Sequence, residues 1–231
     1  MTVYPIPGFS DPFSSMTHLF STPVFLALGV AMLWKLRGDL TRSVSLTIYC
    51  FSVVFLLTMS GVFHLLTPGT TGRYVLQVLD HAAIFFLIAG TFTPVHILQF
   101  RGILRWGVLL LVWSIAITGL TLKSIYFEDV PEVLSLSLYL GLGWLGLVTA
   151  YYLIRQFGFK TVSPLIYGAI AYTTGATMEF LHSPVLVSGV IGPHEIFHVL
   201  VLAGIGFHWQ FVHRMAALHR LQKPASAISS L

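Results

Sequence analysis

Residues 44–66 read VSLTIYCFSVVFLLTMSGVFHLL. No Asp, Glu, Lys or Arg interrupts them. A span needs about 20 mostly apolar residues to cross a hydrocarbon core roughly 30 Å thick, and this stretch is long enough. It lacks the alternation of a barrel strand, so it reads as a membrane helix. Its end carries Ser60 and His64, a hydroxyl and an imidazole four residues apart and so on one helix face.

Outward from it, six more stretches have the same character: roughly residues 19–36, 75–98, 102–122, 133–154, 163–183 and 193–213. Charges or turn residues bound them, as at Arg37-Gly38-Asp39, Thr67-Pro68-Gly69 and Gly192-Pro193. Pro94, Pro164 and Pro193 fall near span ends, where a missing N–H costs least. Residues 1–17 hold no Lys or Arg, so the first apolar stretch reads as a span and not as a signal peptide. The expectation is an all-α membrane protein: one seven-transmembrane helix bundle over residues 1–231. Its connections are no longer than about ten residues, with a short outer head (1–18) and a basic tail (214–231).

Composition agrees. Of 231 residues, 56% are hydrophobic and 9% charged, against about 25% charged in a soluble domain; the mean hydropathy is +0.86. A soluble globular protein is excluded. The net charge of +4 is scattered among loops and forms no basic face, so no nucleic-acid partner is expected. The single cysteine, Cys50, excludes an intrachain disulfide and cysteine-based metal sites. Ten basic residues fall on one side of the bundle, in the segments around Arg37, Arg101, Arg155 and Arg214; only Arg73 and Lys123 fall on the other. The positive-inside rule then places the N-terminus outside and the C-terminus in the cytoplasm of a multi-pass inner-membrane protein.

Ionisable groups inside spans are costly and usually functional. Asp80, Glu179 and Glu195 lie within spans, as do several histidines. His64 ends span two, Asp80 lies early in span three, Glu179 and His182 end span six, and His194 and His198 open span seven. All six fall at one depth, near the outer face. His194 and His198 share a helix face. Two imidazoles so spaced on one helix, with His64 from another, form a three-histidine zinc site with an open fourth position. Asp80 is placed to serve a water there, and Zn²⁺ is balanced by Asp80 and a hydroxide, as a low-dielectric site requires. The alternative is a metal-free cluster of interhelical hydrogen bonds.

The remaining candidates are weaker. His81 is about 100° around the helix from Asp80 and reads as a packing residue or an outer partner of the site. Glu179 reads as a carboxylate supporting a ligand or as a hydrogen-bonded structural acid. His96 belongs to no cluster, and His208, His213 and His219 read as interfacial. Residues 194–198 also spell H-E-x-x-H, which offers Glu195 as a general base.

Ser60-Gly-Val-Phe-His64, Leu79-Asp80-His81-Ala-Ala-Ile84-Phe, Leu87-Ile-Ala-Gly-Thr-Phe-Thr-Pro94 and His194-x-x-x-His198 resemble the haemolysin III branch of the progestin and adipoQ receptor family. Adiponectin receptors and alkaline ceramidases are more distantly similar. The resemblance covers all seven spans in order. It implies a seven-helix bundle with zinc on His64, His194 and His198, and with Asp80 and Ser60 beside the metal. Glu195 departs from the family's pattern, and the charge-derived orientation is opposite to that of the adiponectin receptors.

The leading expectation is a zinc-dependent hydrolase of a lipid-like amide, a membrane lipid or similar molecule being the partner. Asp80 would act as general base and Ser60 would stabilise the oxyanion or orient Asp80. Three other readings stand: a zinc-clamped receptor or membrane-homeostasis sensor without turnover, an intramembrane metalloprotease using Glu195, and a haemolysin or pore. The pore lacks a charged stripe through the membrane. A retinal protein is excluded, since no lysine lies deep in span seven.

Overall fold

A computed structural model describes residues 8–222. The eight helices are α1 (Pro12–Lys35), α2 (Leu40–Leu65), α3 (Thr71–Gln99), α4 (Ile103–Ile125), α5 (Glu132–Trp144), α6 (Gly146–Phe157), α7 (Phe159–Phe180) and α8 (Pro193–Gln222). Leu145 between α5 and α6 keeps helical dihedrals, so the pair forms one rod and the bundle has seven. Among the described residues there is no β-strand; Val187 and Ile191 form an isolated bridge.

Local chemistry fixes the helix starts. Asp39 caps α2 by accepting the Arg42 N–H at 2.9 Å, and Thr70 caps α3 by accepting the Arg73 N–H at 3.3 Å. Pro12 and Pro193 open α1 and α8, where the missing N–H has no intrahelical role.

Six rods are long and apolar enough to cross a membrane: α1, α2, α3, α4, the α5–α6 rod and α8. The stretch expected as span six, residues 163–183, forms α7 and is not among the six. At about 1.5 Å per residue its length suffices. Lys160, Ser163, Glu179 and the threonines at 161, 173, 174 and 177 dilute its hydropathy.

Two further expectations change. The outer head contracts, because α1 begins at Pro12, so residues 12–18 are its first two turns. The α7–α8 connection, residues 181–192, exceeds the expected ten. Of the basic tail, residues 214–222 continue α8, while 223–231, like residues 1–7 of the head, lie outside the described residues.

One core joins α1, α2, α3, α6, α7 and α8 around Tyr49, Leu57, Ile205 and Phe211; a second lies among α3, α4 and α5 around Phe85 and Val112. Large apolar side chains such as Phe20, Trp106 and Leu110 face outward, the inverse of a water-soluble surface. The bundle has two distinct poles. At one, Arg220 donates to Lys35 O, His219 to Leu98 O and Gln99 to Met215 O. At the other, the start of α1 is stitched to the end of α2: Asp11 N–H bonds His64 O at 3.0 Å, and Ser10 Oγ bonds Leu66 O at 2.8 Å. Gly61 permits that approach, since a Cβ there would meet Leu19 Cγ at 2.7 Å. Ser15 Oγ, one turn before Leu19, donates to Gly61 O at 2.8 Å.

Candidate metal centre

At this second pole the end of α2 and the start of α8 bring three imidazoles together. His64 Nε2 lies 3.2 Å from His194 Nε2, and His198 Nε2 lies 3.1 Å from it. The three ring nitrogens all fall within 4.8 Å of one another, and His64 and His198 are buried. His194 and His198 reach the cluster together because they stand one helical turn apart on one face of α8.

The outer nitrogens explain the inner geometry. His64 Nδ1 donates to Asp11 Oδ2 at 2.9 Å, and His194 Nδ1 donates to Glu179 Oε1 at 2.9 Å. In a neutral imidazole a proton on Nδ1 leaves a lone pair on Nε2. Two such lone pairs facing each other at 3.2 Å repel unless a cation lies between them. Imidazoles oriented by carboxylates on their second nitrogen are a recurrent feature of metal-binding histidines, so the donor set fits a divalent ion that accepts nitrogen ligands.

Asp11 is itself clamped: Arg73 Nη2 bonds its Oδ2 at 2.7 Å, while the Arg73 guanidinium lies over the Phe63 ring. Partial burial would push the Asp11 carboxyl up, but the hydrogen bonds from His64 and Arg73 outweigh it and hold it down at about 2. It is therefore a carboxylate at neutral pH.

Asp80 on α3 lies within electrostatic reach of His64 and His194. No hydrogen bond among the described residues engages its side chain. Ser60 is buried one turn before His64.

Glu195 does not join the imidazoles. Its Oε2 accepts the Gly192 N–H at 2.9 Å while Ile196 N–H bonds Gly192 O, so Glu195 closes the first turn of α8 as a capping residue. Its Oε1 accepts from Ser14 Oγ of α1 at 3.4 Å. His81 also lies apart: Nδ1 donates to Gln77 O on its own helix and the ring packs edge-on to Phe127. His182 is exposed at the end of α7 and donates to Glu179 O.

Two other histidines, His96 and His208, serve packing. His96 donates from Nδ1 to Leu104 O and accepts from Thr149 Oγ1 at 3.0 Å, joining α3 to α4 and α6. His208 is buried, not interfacial: Nε2 donates to Leu165 O at 3.2 Å, and the ring fits beside Gly168 and Tyr172 between α7 and α8.

Three residues at the site escape the sequence reading: Asp11, His18 and Arg73. His18 on α1 is buried with its ring centroid 4.2 Å from that of His198. A signal was available, since Ser14 and His18 repeat on α1 the Ser-x-x-x-His spacing of Ser60 and His64 on α2. Next to this pole, α3, α5, α6, α7 and α8 line a partly open apolar pocket of about 400 Å³, with Ile84, Phe92, Tyr139, Ile170 and Phe197 among its walls. Ile84 is one turn beyond Asp80, and Phe197 directly precedes His198.

The haemolysin-III-related family matches residues 9–209, nearly all of this helical array. The chain is 34% identical over 197 residues to a hemolysin-3 homolog of Bacillus subtilis, covering 83% of this chain and 87% of that one. It is 31% identical over 168 residues to hemolysin-3 of Bacillus cereus, covering 73% of each. It is 25% identical over 207 residues to the human monocyte to macrophage differentiation factor, covering 86% of this chain and 82% of that protein. With six apolar helices able to cross a bilayer and these relatives along its length, the chain is a membrane protein of the haemolysin-III-related family, a branch of the progestin and adipoQ receptors.

Proposed function

We propose that this protein crosses the membrane seven times, with α7 as the sixth span and the N-terminus outside. It holds one zinc ion on His64, His194 and His198 and hydrolyses a lipid-like amide. The observation that carries the reading is the convergence of three Nε2 atoms, two of them fixed as lone pairs by Asp11 and Glu179. The charge asymmetry between the poles supports the orientation.

When bound, zinc supplies a Lewis acid for a carbonyl oxygen and lowers the pKa of water toward 7. Asp80 takes up the proton released by the attacking water and returns it to the leaving amine. Ser60 offers a hydroxyl to the developing oxyanion or to Asp80. The apolar cavity accepts an acyl chain, since its lining is aliphatic and aromatic with few polar atoms.

A second reading has one specific observation in its favour. The histidines come from α2 and α8, and Asp11 ties α1 to the same point, so a metal there also clamps three helices, as a receptor or sensor without turnover requires. The protease reading loses support because Glu195 is engaged in capping α8. The hemolysin-3 names of the bacterial relatives suggest a pore, but the cavity found here is apolar, unlike an ion path.

Zinc analysis of the purified protein, followed by turnover assays on ceramide-like and N-acyl amides, tests the proposal. One zinc per chain with Asp80-dependent turnover supports the hydrolase; one zinc without turnover supports the clamp; no metal defeats both.

A further inference from the structure

His18 is the polar group in this bundle least accounted for. It lies on α1 with 2% of its surface exposed. Neither ring nitrogen makes a hydrogen bond of good geometry among the described residues, the His198 backbone being within reach of the ring but poorly placed, and His198 Nδ1 has no partner either. His96, equally buried, satisfies both its nitrogens within the protein.

A neutral imidazole carries one donor and one acceptor, and leaving either unpaired in a low-dielectric interior costs the desolvation of that group with nothing in return. An orphaned buried imidazole of this kind calls for an explanation such as an absent ligand or water. The ring lies over one member of the histidine cluster, with centroids 4.2 Å apart and planes inclined by 40°. It is also within electrostatic reach of the other two, His64 and His194. A partner for it therefore belongs beside the donor set, since three histidines alone leave a tetrahedral ion one open position.

We propose that His18 donates a hydrogen bond to the oxygen that a ligand presents beside His64, His194 and His198: the carbonyl oxygen of a lipid amide, or a carboxylate oxygen of the acid released from it. His18 is then a catalytic residue from α1 that adds to Ser60 as a donor to the developing oxyanion. The proposal rests on the metal-site reading of the cluster. A neutral N–H held in place before the reaction suits this task, because it stabilises charge without reorganising.

The test uses the full-length protein in detergent loaded with Co²⁺, whose visible absorption reports its ligands, titrated with acetohydroxamate as the oxygen-presenting probe. Wild type should bind one cobalt per chain and show a saturable spectral change. His18→Phe should retain the cobalt and bind the probe at least about 10-fold more weakly, the worth of one buried hydrogen bond. His18→Gln, which keeps an N–H donor, should recover part of the loss. Equal probe affinity in wild type and His18→Phe would overturn the proposal in favour of a buried water or a packing role. Loss of cobalt from both variants would overturn it in favour of His18 as a ligand or a structural residue. Wild type without cobalt would instead defeat the metal reading, and this proposal with it.

Discussion

Two pairs of histidines contrast two regions of this bundle. His96 and His208 lie away from the cluster and direct ring N–H groups to backbone carbonyls, Leu104 O and Leu165 O. His64 and His194 direct theirs to carboxylates, Asp11 and Glu179, and turn their free nitrogens toward each other. Burial alone therefore says little about a membrane histidine. What separates His64 and His194 from the packing histidines is where the second nitrogen goes; His198, the third member of the cluster, leaves its Nδ1 without a partner among the described residues. A carbonyl partner joins two helices and ends there, whereas a carboxylate partner fixes the tautomer and points a lone pair at a shared centre.

The largest effect that could break this contrast is on metal content. Replacing His64, His194 or His198 by Ala should each remove the zinc, from about one per chain to near none by elemental analysis. His96→Ala and His208→Ala should leave it in place. Zinc retained at full occupancy in all three cluster variants would erase the distinction.

Asp80→Asn comes next. If the cluster is catalytic, lipid-amide turnover should fall at least about 10²-fold, the usual worth of a positioned general base, while zinc content stays near wild type. Unchanged turnover would remove Asp80 from the mechanism.

Asp11→Ala and Glu179→Ala sharpen the comparison at its centre. Each should weaken metal affinity about 10–100-fold in a chelator competition, the usual effect of losing a partner that orients a ligand. Asp11→Asn, which can still accept from His64, should fall between wild type and Asp11→Ala. Affinity unchanged in both alanine variants would mean that the carboxylates do not prepare the site.

Two smaller effects belong to structural roles. His96→Phe leaves Leu104 O and the Thr149 hydroxyl without their partner and should cost about 1–3 kcal/mol in a denaturant titration, with normal zinc. Glu195→Gln should cost about 1 kcal/mol or less, since an amide oxygen still caps Gly192. It should leave zinc and turnover close to wild type; abolished turnover in Glu195→Gln with Asp80→Asn tolerated would restore the H-E-x-x-H reading.

Much of this was legible in the chain because the bilayer imposes a simple rule: long apolar runs must be helices, since every backbone group has to be satisfied internally. Residues 40–65 and 71–99 form the helices at the stretches 44–66 and 75–98, and helical spacing alone sets His194 and His198 on one face. The start of α1 was less legible. Ser14, Ser15 and His18 carry no apolar signal, so hydropathy stops at about residue 19. Helix α7 differs in the opposite sense: its threonines and its single acid lower its hydropathy, while its glycines lie against α8, Gly175 beside Phe197 and Leu200, and Gly204 of α8 admits the Tyr172 ring.

By itself the sequence determined the class of the molecule, an all-helical membrane protein, and the pool of residues from which a metal site could be drawn, because both follow from local composition and helical period. Tertiary structure alone decided which residues complete the site. Asp11 meets His64 across 53 positions of sequence, and Ser14 reaches Glu195 across 181. His18 comes to lie on His198 because α1 packs against both α2 and α8. Such pairings depend on which helices are neighbours and how they are rotated. Helix packing sets both, and no periodicity within a single helix encodes either.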